Sequence, residues 1–174
     1  MNTLLRQLSN YKNLSNVPPI LFGTLVVDLA TILLVKNSNV LGSTLKDWYD
    51  QFGLSAVLAD VLVIVLGILI AQYIYTEFLY SYSPLLFLPL LVLIQLIHDL
   101  LFYVGVIQTV PQGQNRMIDI FKRYAGESSW KILIGDAVLI LGSTVVAAAS
   151  LQLSPPLFVF LGILAVYAIP YVIA

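Results

Sequence analysis

Four aspartates inside long apolar stretches are the first candidates for chemistry in this chain. They are Asp28, Asp60, Asp99 and Asp136, and His98 stands directly before the third. A charged side chain at the centre of a membrane helix costs about 2.5–3.5 kcal/mol on insertion scales, so it faces protein or water rather than lipid. Clustered carboxyl groups can hold protons or cations, and histidine can exchange a proton near neutral pH. The four acids therefore predict either a buried polar contact or a site for protons or cations.

The motifs that catalysis or metal binding would need are missing. Ile134-Gly135-Asp136 contains half of the GxGD motif of intramembrane aspartyl proteases, but the first glycine and the PAL motif are absent. A single histidine excludes a metal centre built on several imidazoles. The absence of cysteine excludes thiol and disulfide chemistry. The chain contains no P-loop, Rossmann or potassium-filter pattern. We therefore expect no enzymatic activity, no cofactor and no metal.

The composition indicates that these acids are carried by membrane helices. Of the 174 residues, 60% are hydrophobic and only 10% are charged, whereas soluble domains have roughly 25% charged residues. The mean hydropathy is +0.96. This small number of charged side chains cannot cover the surface of a soluble domain. The expected partner is therefore the lipid bilayer. The net charge of −1 and the lack of a basic run argue against nucleic acid as a partner.

Five apolar stretches are long enough to cross a hydrocarbon core of about 30 Å. None of them shows the short alternating pattern of barrel strands. We therefore predict an all-α integral membrane protein with a single membrane domain over residues 1–174. The predicted spans are Pro18–Val35, Leu54–Tyr75, Leu85–Ile107, Ile132–Leu151 and Pro155–Ile173.

Two connections have the pattern of short amphipathic helices. In Leu41–Phe52 and in Met117–Tyr124, apolar residues recur at helical spacing with charged residues opposite them. Such helices lie in the headgroup region of a membrane. Trp48, Tyr49 and Trp130 are of the type that forms an aromatic belt there, so they are predicted interfacial anchors.

The distribution of lysine and arginine predicts the orientation. If the spans alternate, six basic residues fall on one side, while only Arg6 and Lys12 fall on the other. The positive-inside rule makes the first side cytoplasmic, with the N-terminus outside and the C-terminus cytoplasmic. The six are Lys36, Lys46, Arg116, Lys122, Arg123 and Lys131.

The four aspartates have similar depths in their spans. Counted from the cytoplasmic end, Asp28 is seven residues in, Asp60 six, Asp99 eight and Asp136 four. At 1.5 Å per residue these depths are roughly 6–12 Å below one interface. We call these four residues the aspartate layer. One interpretation is structural, with hydrogen bonds across helices or contacts from Lys36, Lys131 and the Arg116–Arg123 segment; the other is a proton or cation site.

The order of the elements is also consistent with a duplicated helical hairpin. The first and second spans each carry one aspartate and are joined by an amphipathic segment, and the third and fourth repeat this plan. Because both copies would run in the same direction, the duplication would be a parallel repeat about an axis normal to the membrane.

One segment of the chain resembles a known group of proteins. Residues 110–130, VPQGQNRMIDIFKRYAGESSW, are followed by KILIGDAVLILGS. The segment resembles uncharacterised multi-span membrane proteins of large DNA viruses of algae and protists, in which a Pro-x-Gly-x-Asn turn precedes a Met-Ile-Asp-x-Phe-Lys-x-Tyr helix and an Asp-bearing span. The resemblance implies a protein of a viral membrane or virion. The matching residues are Pro111, Gly113, Asn115, Met117, Ile118, Asp119, Phe121, Lys122, Tyr124 and Asp136.

The leading hypothesis is therefore a non-enzymatic multi-pass membrane protein with a structural or interaction role, in a virion if the resemblance holds. Its expected protein partners are further copies of itself or other membrane or capsid proteins. The alternative hypothesis is a small proton or cation channel or transporter that uses the aspartate layer and His98.

Overall fold

The computed structural model describes residues 2–38, 42–81, 83–128 and 130–174, which form helices and turns and no strand. Five of the helices are long and apolar enough to cross a membrane. The all-helical prediction is therefore confirmed, and the chain is compatible with an integral membrane protein. The α-helices of the described residues are α1 (Asn2–Leu8), α2 (Val17–Asn37), α3 (Ser43–Phe52), α4 (Leu54–Ile74), α5 (Phe87–Phe102), α6 (Arg116–Ser128), α7 (Lys131–Ser150) and α8 (Pro155–Ile173).

Short helical turns lengthen three of the candidate spans. A 3₁₀ turn at Leu14–Asn16 precedes α2, and another at Pro84–Leu86 precedes α5. A π-helical turn at Tyr75–Leu79 follows α4, and a second at Tyr103–Ile107 follows α5. The second span thus extends to Leu79, further than predicted.

Proline positions explain where the spans begin. Prolines occupy the first turns of α2 and α8 and of the 3₁₀ turn before α5, where a missing N–H costs no hydrogen bond. Pro89 lies in the first turn of α5, which begins at Phe87.

The closest helix packing joins α2 to α7. A Cβ atom added to Gly23 would lie 2.5 Å from the Ser143 carbonyl oxygen and 2.6 Å from the Ala147 nitrogen. The two backbones therefore touch, which only glycine permits at this point. Helix α5 packs between α4 and α7, while α8 packs against α2 and α4 at the periphery. Among the residues of α8, only Ala165 is buried.

Contacts at the two ends of the bundle show which segments lie together. At one end, the segment after α1 contacts the turn after α4: Lys12 and Glu77 form a salt bridge of 3.0 Å, and the Tyr11 N–H donates to Thr76 Oγ1 at 3.2 Å. At the other end, α3 packs against α6, and Lys36 Nζ donates to the Ile173 carbonyl oxygen at 2.7 Å. The five helices therefore alternate in direction.

Two of the short helices occupy the predicted amphipathic segments. Helix α3 ends at Phe52 as predicted, while Leu41, where the predicted segment begins, lies outside the described residues. Helix α6 is longer than predicted and continues to Ser128. Helix α1 was not predicted, and it buries Leu5 and Leu8.

Candidate functional site

Helix α3 lies over the ends of α2 and α4 and donates hydrogen bonds to an aspartate in each. Trp48 Nε1 donates to Asp60 Oδ2 at 2.9 Å, and the Tyr49 hydroxyl donates to Asp28 Oδ1 at 3.2 Å. Trp48 and Tyr49 are each only 2% exposed. The Trp48 ring also packs on Phe121 of α6, with centroids 4.8 Å apart. These two adjacent residues thus attach the short helix to two different spans.

The environment of Tyr49 keeps its hydroxyl group protonated, so that it can donate a hydrogen bond. Burial, followed by the neighbouring Asp60 and Asp28 carboxylates, raises the pKa of Tyr49 well above its usual value. The phenol therefore retains its proton at physiological pH and can donate to Asp28.

Asp99 finds its partners on its own helix. Gln95 Nε2 donates to Asp99 Oδ1 at 2.7 Å, and His98 Nδ1 lies 3.1 Å from the same oxygen. The His98 side chain is 39% exposed and its ring stacks on Phe102. The hydrogen-bond partners found for Asp99 thus lie on α5, with Asp136 of α7 beside it. The donors of Asp28 and Asp60 lie on α3.

The four aspartates interact electrostatically across helices. The Asp60 carboxylate lies close enough to repel that of Asp28, and the Asp99 and Asp60 carboxylates repel that of Asp136. Within the described residues, Asp28 Oδ2 and Asp99 Oδ2 are buried and have no hydrogen-bond partner. Such an unpaired buried acceptor is costly. It could accept a proton or a small hydrogen-bond donor.

The six predicted cytoplasmic cations lie at the α3–α6 end, and the contacts found for them are with groups outside the aspartate layer. No ion pair in the described part of the chain joins an aspartate of the layer to a lysine or arginine. The predicted inward contact from Lys36, Lys131 and Arg116–Arg123 is therefore replaced by donors from α3 and α5. The contacts of the six basic residues are as follows: Lys36 and Lys46 with Asp50, Arg123 with Asp47, Lys122 with the Val110 carbonyl oxygen and Arg116 with the Phe52 ring, while Lys131 is exposed at the start of α7.

The three predicted interfacial anchors have different environments. Trp130 is 64% exposed beside the start of α7, and its anchor role stays a prediction. Trp48 and Tyr49 are instead buried, because their polar atoms reach carboxyl acceptors on neighbouring spans. Aromatic residues that carry a polar atom are suited to either environment.

Helices α3 and α6 are fastened to each other by charged groups. Glu127 accepts hydrogen bonds of 3.0 Å from the Ser43 and Thr44 N–H groups and so caps the start of α3. Gly42, with φ +91°, brings the chain to this position; a Cβ there would lie 3.0 Å from Glu127 Oε1. Hydrogen bonds from Thr44 and Ser43 lower the pKa of Glu127.

Tyr124 places α6 close to the layer. Burial, followed by the Asp136, Asp60 and Glu127 carboxylates, raises the pKa of Tyr124 to about 12. Its hydroxyl makes no hydrogen bond with the described residues. No group of three or more acidic or histidine side chains in the described chain is arranged to hold a metal ion.

No protein-family model, curated protein or solved structure matches this chain.

Proposed function

We propose that this chain is a non-enzymatic multi-pass membrane protein with a structural or interaction role. In this role, the aspartate layer holds the short helices against the bundle. The observation that carries the proposal is the pair of hydrogen bonds from Trp48 and Tyr49 to Asp60 and Asp28. Hydrogen bonds between helices contribute about 0.6–2 kcal/mol each in a membrane. They are also directional, so they fix the position of α3 over two spans.

In this proposal, α3 and α6 lie in the headgroup region on the cytoplasmic side. Their charged residues support this, since six basic side chains belong to the end of the bundle that these helices cover. Because the chain has no cysteine, single cysteines at Lys12 and Lys131 can be labelled with a membrane-impermeant maleimide in oriented vesicles. Labelling of Lys12→Cys from the cytoplasmic side, or of Lys131→Cys from the outer side, would reverse the proposed orientation. Location in a virion rests only on the resemblance of residues 110–130.

We also propose that α2–α3–α4 and α5–α6–α7 are copies of one parallel repeat. Each copy starts with a 3₁₀ turn capped by a side chain, that of Asn13 or of Ser83. Trp48 precedes Asp60 by 12 residues (60 − 48), and Tyr124 precedes Asp136 by 12 (136 − 124). The equivalence pairs Asp28 with Asp99 and Asp60 with Asp136.

A second candidate function, proton or cation passage, is favoured by Asp99. Its Oδ2 atom is buried without a partner, and His98 beside it is partly exposed. Asp136 and Asp60 continue this group of acids toward the first half of the bundle. A proton suits these groups better than a metal ion, since the carboxyl oxygens of the described residues are not gathered around a common point.

Flux through liposomes separates the two functions. Wild type, the double variant Asp60→Asn with Asp99→Asn, and the control Asp119→Asn, which lies outside the spans, are reconstituted with a pH-sensitive or cation-sensitive dye. The structural role predicts leakage equal to that of empty liposomes in all three, and easier unfolding of the double variant than of the control, whose carboxylate only accepts from the Gly113 N–H in a loop. Flux through wild type and the control that the double variant lacks would refute the structural role and establish the second candidate.

A further inference from the structure

The Tyr49 hydroxyl lies near two carboxyl groups but has only one hydrogen to donate. It donates to Asp28 Oδ1 at 3.2 Å and is also within reach of the Asp60 carboxyl group. A phenol hydroxyl donates one hydrogen bond at a time. Asp60 has a donor of its own, because Trp48 Nε1 donates to its Oδ2 atom at 2.9 Å. Asp28 therefore depends on Tyr49, and the two acids are not equally supplied with donors.

The Asp28 side chain is enclosed almost completely. The residue is only 3% exposed, and its Oδ2 atom is buried without a hydrogen-bond partner among the described residues. A carboxylate offers about four acceptor sites, and Tyr49 fills one of them. Burying an ionised carboxyl group without a paired charge costs far more free energy than burying a neutral one. The surroundings of Asp28 therefore favour its neutral form.

No positive charge compensates Asp28. The titratable groups that interact with it are Asp60 of α4 and Tyr49 of α3, an acid and a neutral phenol. None of the ion pairs of the described residues includes Asp28. Lys36 stands about two turns further along α2 and donates to a backbone carbonyl of α8. On the other helices that pack against α2, Asp136 of α7 interacts with Asp99 and Asp60, and Tyr167 and Tyr171 of α8 bond to each other.

We propose that Asp28 binds a proton beneath α3, so that a neutral Asp28 and a charged Asp60 lie on either side of the Tyr49 hydroxyl. The proton removes both the repulsion between the two acids and the cost of a buried, unpaired charge. The neutral carboxyl group still accepts from Tyr49 through its carbonyl oxygen, so the observed hydrogen bond is kept. This inference rests on the proposed attachment of α3 to the aspartate layer, and it names a proton as the ligand of that site.

Infrared spectroscopy of the purified chain at neutral pH tests the proposal. A protonated carboxyl group has a carbonyl stretching band that a carboxylate lacks. We expect the spectrum of wild type minus that of Asp28→Asn to contain one carboxylic acid band, which corresponds to one proton per chain. Asparagine is neutral and similar in shape to a protonated aspartate, so this variant should fold. The control is Asp119→Asn, whose carboxylate accepts from the Gly113 N–H in a loop, and its difference spectrum should contain only carboxylate bands.

Removal of the donor tests the same site while the acid stays in place. In Tyr49→Phe the carbonyl group of Asp28 loses its hydrogen bond, so the acid band should move to higher wavenumber. Tyr124→Phe, the same change on α6, should leave the band where it is. This comparison stays decisive if Asp28→Asn does not fold. An acid band that Tyr49→Phe does not move would overturn the proposal.

Two other spectra would also overturn it. Loss of a carboxylate band in Asp28→Asn would show that Asp28 is charged, as it would be with a cation bound between the two acids. An acid band that disappears in Asp60→Asn but persists in Asp28→Asn would place the proton on the other acid. The structural role of the layer would survive each of these results, because it needs only acceptors for Trp48 and Tyr49 and is tested by unfolding.

Discussion

The two halves of the bundle, α2–α4 and α5–α7, each consist of two long helices with a short helix between them, but their aspartates have different hydrogen-bond partners. In the first half, Asp28 and Asp60 each receive a hydrogen bond from α3. In the second, the hydrogen bond found for Asp99 comes from Gln95 of α5 itself. A buried acid that another helix satisfies fastens that helix. One that is satisfied within its own helix contributes no bond to the neighbouring short helix, and α6 is held instead by contacts such as those of Glu127 and Arg123 with α3.

The helix crossings that join the two halves also differ from each other. Helix α2 meets α7 backbone to backbone at Gly23. A Cβ atom added to Gly67 on α4 would instead lie 3.3 Å from the end of the Ile140 side chain and 3.6 Å from that of Gln95. Rigid backbone cannot yield to an added atom, but a flexible side chain can. The crossing of α2 with α7 should therefore tolerate an added side-chain atom less well than the contact at Gly67.

The largest expected effect is that of a methyl group at the two crossings. Gly23→Ala should lower the free energy of unfolding by about 2–3 kcal/mol, because its Cβ meets backbone atoms of α7. Gly67→Ala should cost less than about 1 kcal/mol, since the Ile140 and Gln95 side chains can move. Reversible unfolding in mixed detergent micelles measures both changes. Equal losses would show that the two crossings are equally rigid.

A smaller effect is expected when a single phenol hydroxyl is removed. Tyr49→Phe leaves Asp28 without its donor from α3 and should cost about 1–2 kcal/mol. Tyr124→Phe, the same change on α6, should stay within about 0.5 kcal/mol because no donated hydrogen bond is lost. Unfolding under the same conditions compares them. A larger loss of unfolding free energy for Tyr124→Phe would show that the hydroxyl on α6, rather than the one on α3, holds its short helix against the bundle.

The smallest effect concerns the contact between α3 and α6. The lowered pKa of Glu127 means that its charged form is favoured in the folded chain. Its contribution is therefore present above the unfolded value of 4.5 and is lost as the pH falls through the lower folded value. Hydrogen exchange at the Ser43 and Thr44 amides should accelerate severalfold over this range. In Glu127→Gln, hydrogen exchange at these amides, corrected for its intrinsic pH dependence, should not change with pH. If a pH response persisted in this variant, another titrating group would be its cause.

Several features were predictable from the sequence because they depend on neighbouring residues. Span length follows from an uninterrupted apolar stretch, and the amphipathic pattern identified the regions of α3 and α6. The end of the second span was underestimated. There, Glu77 looks like a loop residue, but its salt bridge with Lys12 accommodates it in the π-helical turn. Helix α1 was missed because the burial of Leu5 and Leu8 depends on contacts with distant parts of the chain.

Of the candidate site, only the four aspartates were predictable from the sequence. The sequence shows which four aspartates lie in the spans and at what depth, but it does not show which donors reach them. Trp48 and Tyr49 match the pattern of lipid-facing anchors, and the partner carboxylates come from two separate helices. No pattern in the sequence indicated the close contact at Gly23, since the backbone it touches lies more than a hundred residues further along the chain.

The sequence by itself determined that this chain forms membrane-compatible helices and that each of four spans contains one aspartate, because hydrophobicity and helical periodicity are local properties. Only the tertiary structure decided which acids are satisfied by another helix and which by their own. It also decided that Trp48 and Tyr49 face inward and that Lys36 and Lys46 share Asp50. Hydrogen bonds and ion pairs act over about 3 Å, so their partners are known only once distant helices have been brought together.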